Sequence, residues 1–377
     1  MIRPARRPQF THRLRSWPSL AATAAMLLSL AALASPARAD GPPLVVVSIK
    51  PLHALVAAVM HDVAVPALIV SGAASPHDYA LRPSDAAALE TARLVFWMGP
   101  ELESFLVRPI GTLGAAASVP LGEALGARIR PTRLDPVHDE AGTGAHDDTE
   151  GEGRHDHDHE HEQDHELGHD DDHGEDLRHA VEHREDHGEA ESHGHGHAHV
   201  DAKGHPLADL HAWLDPAIAT VMVDIVASAL KRADPEHAAL YERNADDLKR
   251  RLAGLDRELA ETLAPVRNRP FIVFHDAYQY LEARYDLNGI GALSINPETP
   301  PGARRLATLR AEIEAEGAVC VFSEPQFEPK LVGALIEGTP ARSASLDPLG
   351  TDIEPGPDAY FVLLRRMAAT LRECLSN

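Results

Sequence analysis

Cysteine is scarce in this chain: Cys320 and Cys374 are the only two among 377 residues. Two are too few for a disulfide-built miniature or a cysteine zinc finger. Basic side chains are also in deficit, 35 against 58 acidic, for a net charge of −23. A nucleic-acid binder needs a basic face for phosphate, so that class is excluded. Beyond the first forty residues no apolar run approaches the ~18 residues of a membrane-spanning helix. The acidic excess is itself local. Residues 135–201 hold 24 acidic and 3 basic side chains, a net of −21, which leaves −2 for the rest of the chain. Of the 24 histidines, 17 lie between His138 and His205.

The first 39 residues read as a signal peptide. Arg3, Arg6, Arg7, Arg13 and Arg15 form a basic start, residues 20–33 an apolar core, and Ala37-Arg38-Ala39 a small-residue cleavage site. The mature chain is expected to begin near Asp40 and to be exported and soluble, in an oxidising compartment where disulfides persist.

With the leader and residues 135–206 set aside, strand-like and helix-like segments alternate. Residues 44–49, 65–70, 93–98 and 117–121 are strand candidates, with helices at 51–60, 84–92 and 101–111 between them. Asp215-Pro216 marks a helix start, and a helix is expected over 216–232. Asp234-Pro235 repeats the signal. Leu248, Leu252, Leu255, Leu259 and Leu263 then keep one apolar stripe, so a long helix is expected over 234–267, about 50 Å at ~1.5 Å per residue. A second alternating half follows, with strands at 271–274, 289–295, 318–323 and 341–346. This order predicts an α/β fold of two lobes with parallel sheets, joined by one long rigid helix, with a ligand cleft between the lobes at the carboxyl ends of the strands. The first lobe takes residues 40–134 and 207–233, the second 268–377.

Outside the leader and the histidine-rich stretch six histidines remain, and three stand where a site needs them. His77 lies in a Ser-Pro-His-Asp-Tyr loop, His211 just ahead of a helix start, and His275 directly after an apolar strand. Imidazole suits zinc, copper and nickel, and three imidazoles with one further ligand is a common zinc arrangement. On placement alone, a purely structural role for each histidine stays open.

The mature chain resembles the zinc-specific substrate-binding proteins of ABC uptake transporters, the ZnuA type. The matching stretches are SIKPLHALVAAVM, SGAASPHDYALRPSDAAALETARLVFWMGPELESFL, HAWLDP, FHDAYQYLEARY, NPETPPGARRL, CVFSEPQF and LDPLG. The resemblance implies a monomeric periplasmic carrier of Zn²⁺, not an enzyme, that delivers its ion to an inner-membrane ABC permease. It implies His77, His211 and His275 as metal ligands. Some relatives carry a glutamate before the first histidine, but here Pro76 offers no ligand. Asp347, in the LDPLG turn, is the candidate fourth ligand, with water as its competitor; Glu324 reads as a supporting residue. Asp78 and Asp276 are candidate hydrogen-bond partners of the histidines they follow. The resemblance also implies a Cys320–Cys374 disulfide. A manganese or nickel carrier of the same build, a zinc hydrolase, and an adhesin or metal buffer are the competing readings.

Residues 135–206 have few apolar side chains, dense like charge and no periodicity, so they are not expected to fold alone. Their alternating His-Asp and His-Gly runs suggest a weak, multi-ion zinc collector beside the main site. His165-Glu166-Leu167-Gly168-His169 matches a zinc-protease pattern. That motif needs a packed amphipathic helix, and its acidic, glycine-containing surroundings offer none.

Overall fold

The computed structural model describes residues 44–113, 117–133, 207–294, 297, 301–327 and 330–376. The expected signal peptide, the histidine-rich segment and its protease-like motif lie outside these residues. The apolar run near the start becomes β1 (Val45–Val47), buried on both faces as a central parallel strand must be. With β2 (Ala67–Leu68), β3 (Leu94–Trp97) and β4 (Ala117–Pro120) it forms an all-parallel sheet of order β2-β1-β3-β4. Helices α1 (Lys50–Val59), α2 (Pro83–Thr91) and α3 (Ser104–Leu113) connect these strands, and α4 (Leu121–Leu125) follows. The second strand is shorter than expected. Val65 is 84% exposed and Pro66 has no N–H to donate, so pairing on this edge begins only at Ala67.

The segment carrying the first-lobe residues around 130 and 208 closes as a two-stranded antiparallel ribbon, β5 (Arg130–Pro131) and β6 (Ala208–Asp209). Helix α5 (Pro216–Ala233) then starts as the sequence signals, with the Asp215 carboxylate accepting from the Ala217 N–H at 2.7 Å. Helix α6 spans Ala238–Leu263, about 39 Å at ~1.5 Å per residue. It is shorter than the 234–267 rod because Pro235 and Pro265 sit in flanking 3-10 turns, where their missing N–H is tolerated. Its leucine stripe is fully buried, each side chain contributing roughly 2 kcal/mol relative to exposure. Helix α6 packs against α1 and α5 on one side and against α7 (Gln279–Tyr285) and α10 (Ala359–Ser376) on the other.

The second sheet is also all parallel, in order β10-β9-β7-β8, from β7 (Phe271–His275), β8 (Gly289–Ser294), β9 (Cys320–Ser323) and β10 (Arg342–Ser345). Helices α8 (Ala303–Glu316) and α9 (Lys330–Ile336) complete this lobe. Along β7 the side chains alternate between two cores. Phe271 and Val273 join a cluster that runs from Val46 and Phe96 of the first lobe through Trp213 and Leu252 to Phe322 and Leu371. Ile272 and Phe274 face a smaller cluster with Leu293, Leu309 and Ile313. One apolar core therefore reaches through both lobes.

Cys320 of β9 and Cys374 of α10 form a disulfide, with Cα atoms 6.2 Å apart and a sequence separation of 54. It ties the last helix to the second sheet. Replacing both by alanine is expected to lower unfolding free energy by about 4 kcal/mol at most, the loop-closure value for that separation. Urea unfolding of the double variant beside the wild type measures it.

Candidate metal centre

The parallel pairing of β7 and β9 places Phe271 opposite Cys320 and Ile272 opposite Val321. Continued to the carboxyl ends, that register sets His275 beside Glu324. The His275 Nδ1 lies 2.7 Å from Glu324 Oε1, which also accepts from the Tyr278 hydroxyl at 3.0 Å. A hydrogen bond to a carboxylate fixes the proton on Nδ1 and leaves the Nε2 lone pair free. His211 is treated the same way. Its Nδ1 lies 2.7 Å from Asp209 Oδ1, two residues earlier, which also accepts from the His211 backbone N–H.

The two freed nitrogens face each other: His275 Nε2 and His211 Nε2 are 3.3 Å apart. His77 comes from the loop after β2, and its Nε2 is buried without a hydrogen-bond partner among the described residues. One ring nitrogen from each of the three histidines lies within 4.8 Å of the others. Two nitrogens at ~2.0–2.1 Å from a tetrahedral zinc would be separated by about 3.3 Å. The His211–His275 spacing matches that separation. The histidines line a small pocket with Ser75, Pro76, Glu324, Gln326, Phe327, Pro348 and Leu349.

The model of the family described as ZnuA, zinc-uptake complex component A, periplasmic, matches residues 45–374. The chain belongs to the ZnuA family. The high-affinity zinc uptake system protein ZnuA of Brucella suis biovar 1 (strain 1330) is 48% identical over 335 residues, 88% of this chain and 92% of that relative. A crystal structure of ZnuA shares the fold at TM-score 0.63 and 21% identity, covering 89% of this chain and 100% of that one. The periplasmic zinc binding protein TroA of Treponema pallidum does so at TM-score 0.64 and 16% identity, covering 89% and 99%.

Three carboxylates stand elsewhere than the sequence suggests. Asp347 lies outside the convergent set. Its Oδ1 accepts from the N–H groups of Leu349 and Gly350 and from Gln326 Nε2, and its Oδ2 from the Thr351 N–H and hydroxyl. A carboxylate with five donors is committed to shaping its own turn. Asp276 turns away from His275 and pairs with Arg133, which also holds Glu282 at 2.6 Å. Asp78 is exposed. The carboxylates that do hold imidazoles are Glu324, read from sequence only as a supporting residue, and Asp209, which sequence reasoning missed. The signal for Asp209 was its place two residues before His211; attention went to carboxylates following the histidines.

Asp209 is itself fixed by the second lobe. Gln279 Nε2 donates to its Oδ2 at 2.6 Å and the Tyr280 hydroxyl to its carbonyl at 2.7 Å. Tyr280 also accepts from the Arg130 N–H, and Gln279 donates to the Pro131 carbonyl. The ribbon that precedes His211 is therefore anchored on the helix that follows His275.

His77 and His275 do not titrate alike. Burial, with His211 and His275 close by, pushes His77 well below the ordinary range, which keeps it neutral. Burial also acts to lower His275, but Glu324, with Asp276 and Asp209 beyond it, outweighs that, and its value is raised. A metal ion taken up at Nε2 would compete with the His275 proton. Affinity is therefore expected to weaken as pH falls, beginning above the ordinary imidazole value of about 6.5, while His77 adds no competition there. Glu324→Gln removes the raising charge, so the onset moves to lower pH, and loss of a ligand-orienting carboxylate costs about 10–100-fold in affinity at pH 7.5. Competition titrations against a zinc chelator from pH 8 to 5.5 read both effects.

Proposed function

We propose that His77, His211 and His275 bind one Zn²⁺ in the cleft between the lobes, and that this is the site of capture. The supporting observation is the pair of carboxylate-locked Nε2 atoms 3.3 Å apart, with the partnerless His77 Nε2 completing a three-imidazole set. The protein captures zinc in the periplasm for import, as a carrier and not an enzyme, in keeping with its family. The ion is cargo. An all-imidazole set favours zinc over manganese, which prefers oxygen ligands.

The receiving partner is read as an ABC permease of the inner membrane, the carrier as a monomer, and residues 1–39 as the export signal. Among the described residues no helix is long and apolar enough to cross a membrane. The histidine-rich segment 135–206 is read as a weaker auxiliary collector. Its ligands must lose chain entropy on binding, which lowers the affinity of each site below that of the cleft.

Calorimetric zinc titration tests the assignment. The wild type should show one tight site plus weaker ones. Deleting residues 135–206 should remove the weaker ones and keep the tight site. His77→Ala, His211→Ala and His275→Ala should each weaken the tight site by about 100-fold or more, the order expected when one of few ligands to a metal is lost. A tight site that survives two of the three substitutions, or that disappears with the deletion, would overturn the reading.

A further inference from the structure

Lys50, the first residue of α1, is 8% exposed, low for a residue type that is almost never buried without partners. Its ammonium donates to three main-chain carbonyls: Gly350 at 2.9 Å, Thr351 at 2.6 Å and Ile353 at 3.1 Å. A lysine ammonium has three N–H donors, so all are used. All three acceptors lie in one loop of the second lobe, residues 347–353, some 300 positions further along the chain. The N–H groups of the same loop turn inward to Asp347. Its backbone is thus gripped from both sides, N–H groups by a carboxylate of its own lobe and carbonyls by a cation of the other. Trp213, two residues after His211, adds a bond from the same direction, its Nε1 donating to the Pro348 carbonyl at 3.0 Å.

The gripped loop walls the metal cavity through Pro348 and Leu349. On another side Leu349 lines a shallow hollow with Lys50, Pro51, Gly350, Ile353, Ala359 and Leu363. Leu349 borders both spaces. We propose that Lys50 is a positioning residue for zinc retention: it ties loop 347–353 to the first lobe, holding Pro348 and Leu349 against the imidazole cluster. The two lobes share one apolar core, which opposes wide opening, so a local wall movement is the smaller step to release. The hydrogen bonds of a buried cation to carbonyls are charge-assisted and hold the wall more firmly than neutral ones would.

This inference rests on the three-histidine site, so the test reads that site first. A wild-type chain without one tight zinc, or one whose affinity survives His275→Ala, overturns the site. With the site in place, zinc release is timed by rapid mixing with excess chelator, beside the thermal midpoint of the zinc-free protein. Lys50→Met keeps the stem and removes the donors; release is expected to quicken about tenfold, the scale of one charge-assisted hydrogen bond. The protein with Cys320→Ala and Cys374→Ala, loosened away from this loop, is the control: its midpoint is expected to fall with release at the wild-type rate. A Lys50→Met protein with a lowered midpoint and unchanged release rate would show that Lys50 only packs the lobe junction. Equal quickening in Lys50→Met and in the disulfide variant would show a general effect of loosening and overturn the proposal. Should Lys50→Met fail to fold, Lys50→Gln, which keeps two donors, takes its place with the same two outcomes.

Discussion

Two imidazole lone pairs 3.3 Å apart repel unless something positive lies between them. The site holds them there because each ring is fixed at its far nitrogen by a buried carboxylate, His211 by Asp209 and His275 by Glu324. These two hydrogen bonds decide tautomer and aim together. They also supply negative charge beyond the ligands, which supports a cation at the centre and raises the basicity of the rings. His77, with no such partner, is kept neutral by burial and by its two neighbours. The rings are thus aimed at a common point in advance, and little reorganisation is left to perform on binding.

The pre-set geometry needs a frame that does not splay. Helix α6 touches helices of both lobes, and the apolar cluster runs without a break from β1 to β9 and α10. The ribbon beside His211 adds polar ties, with Gln279 and Tyr280 of the second lobe bonded to both of its strands. The lobes meet through packed side chains and directed hydrogen bonds, an arrangement that shifts between discrete states more readily than it bends.

Much of this was legible in the sequence. The apolar runs of residues 44–49 and 271–274 announced parallel strands buried on both faces, and Asp215-Pro216 marked its helix start to the residue. The strand end carrying His275 could be read as well. What stayed hidden was non-local. Glu324 meets His275 because two strands pair in a register that no single segment encodes. Asp347 was misread because a carboxylate beside a cleft can turn to a metal or to the amides that follow it. The Leu-Asp-Pro-Leu-Gly-Thr order supplies three such amides within four residues, and these won. The ribbon of Arg130–Pro131 with Ala208–Asp209 is two residues wide and joins positions far apart, so no periodicity could reveal it.

That narrow ribbon carries a consequence for how this chain can vary. By pairing the two ends of the histidine-rich segment with each other, and both with α7, it seals the stem before the segment begins. Closure entropy for a longer or shorter excursion changes only with the logarithm of its length. The length and wording of everything beyond the stem can therefore change at little cost while the imidazole trio beneath stays in register.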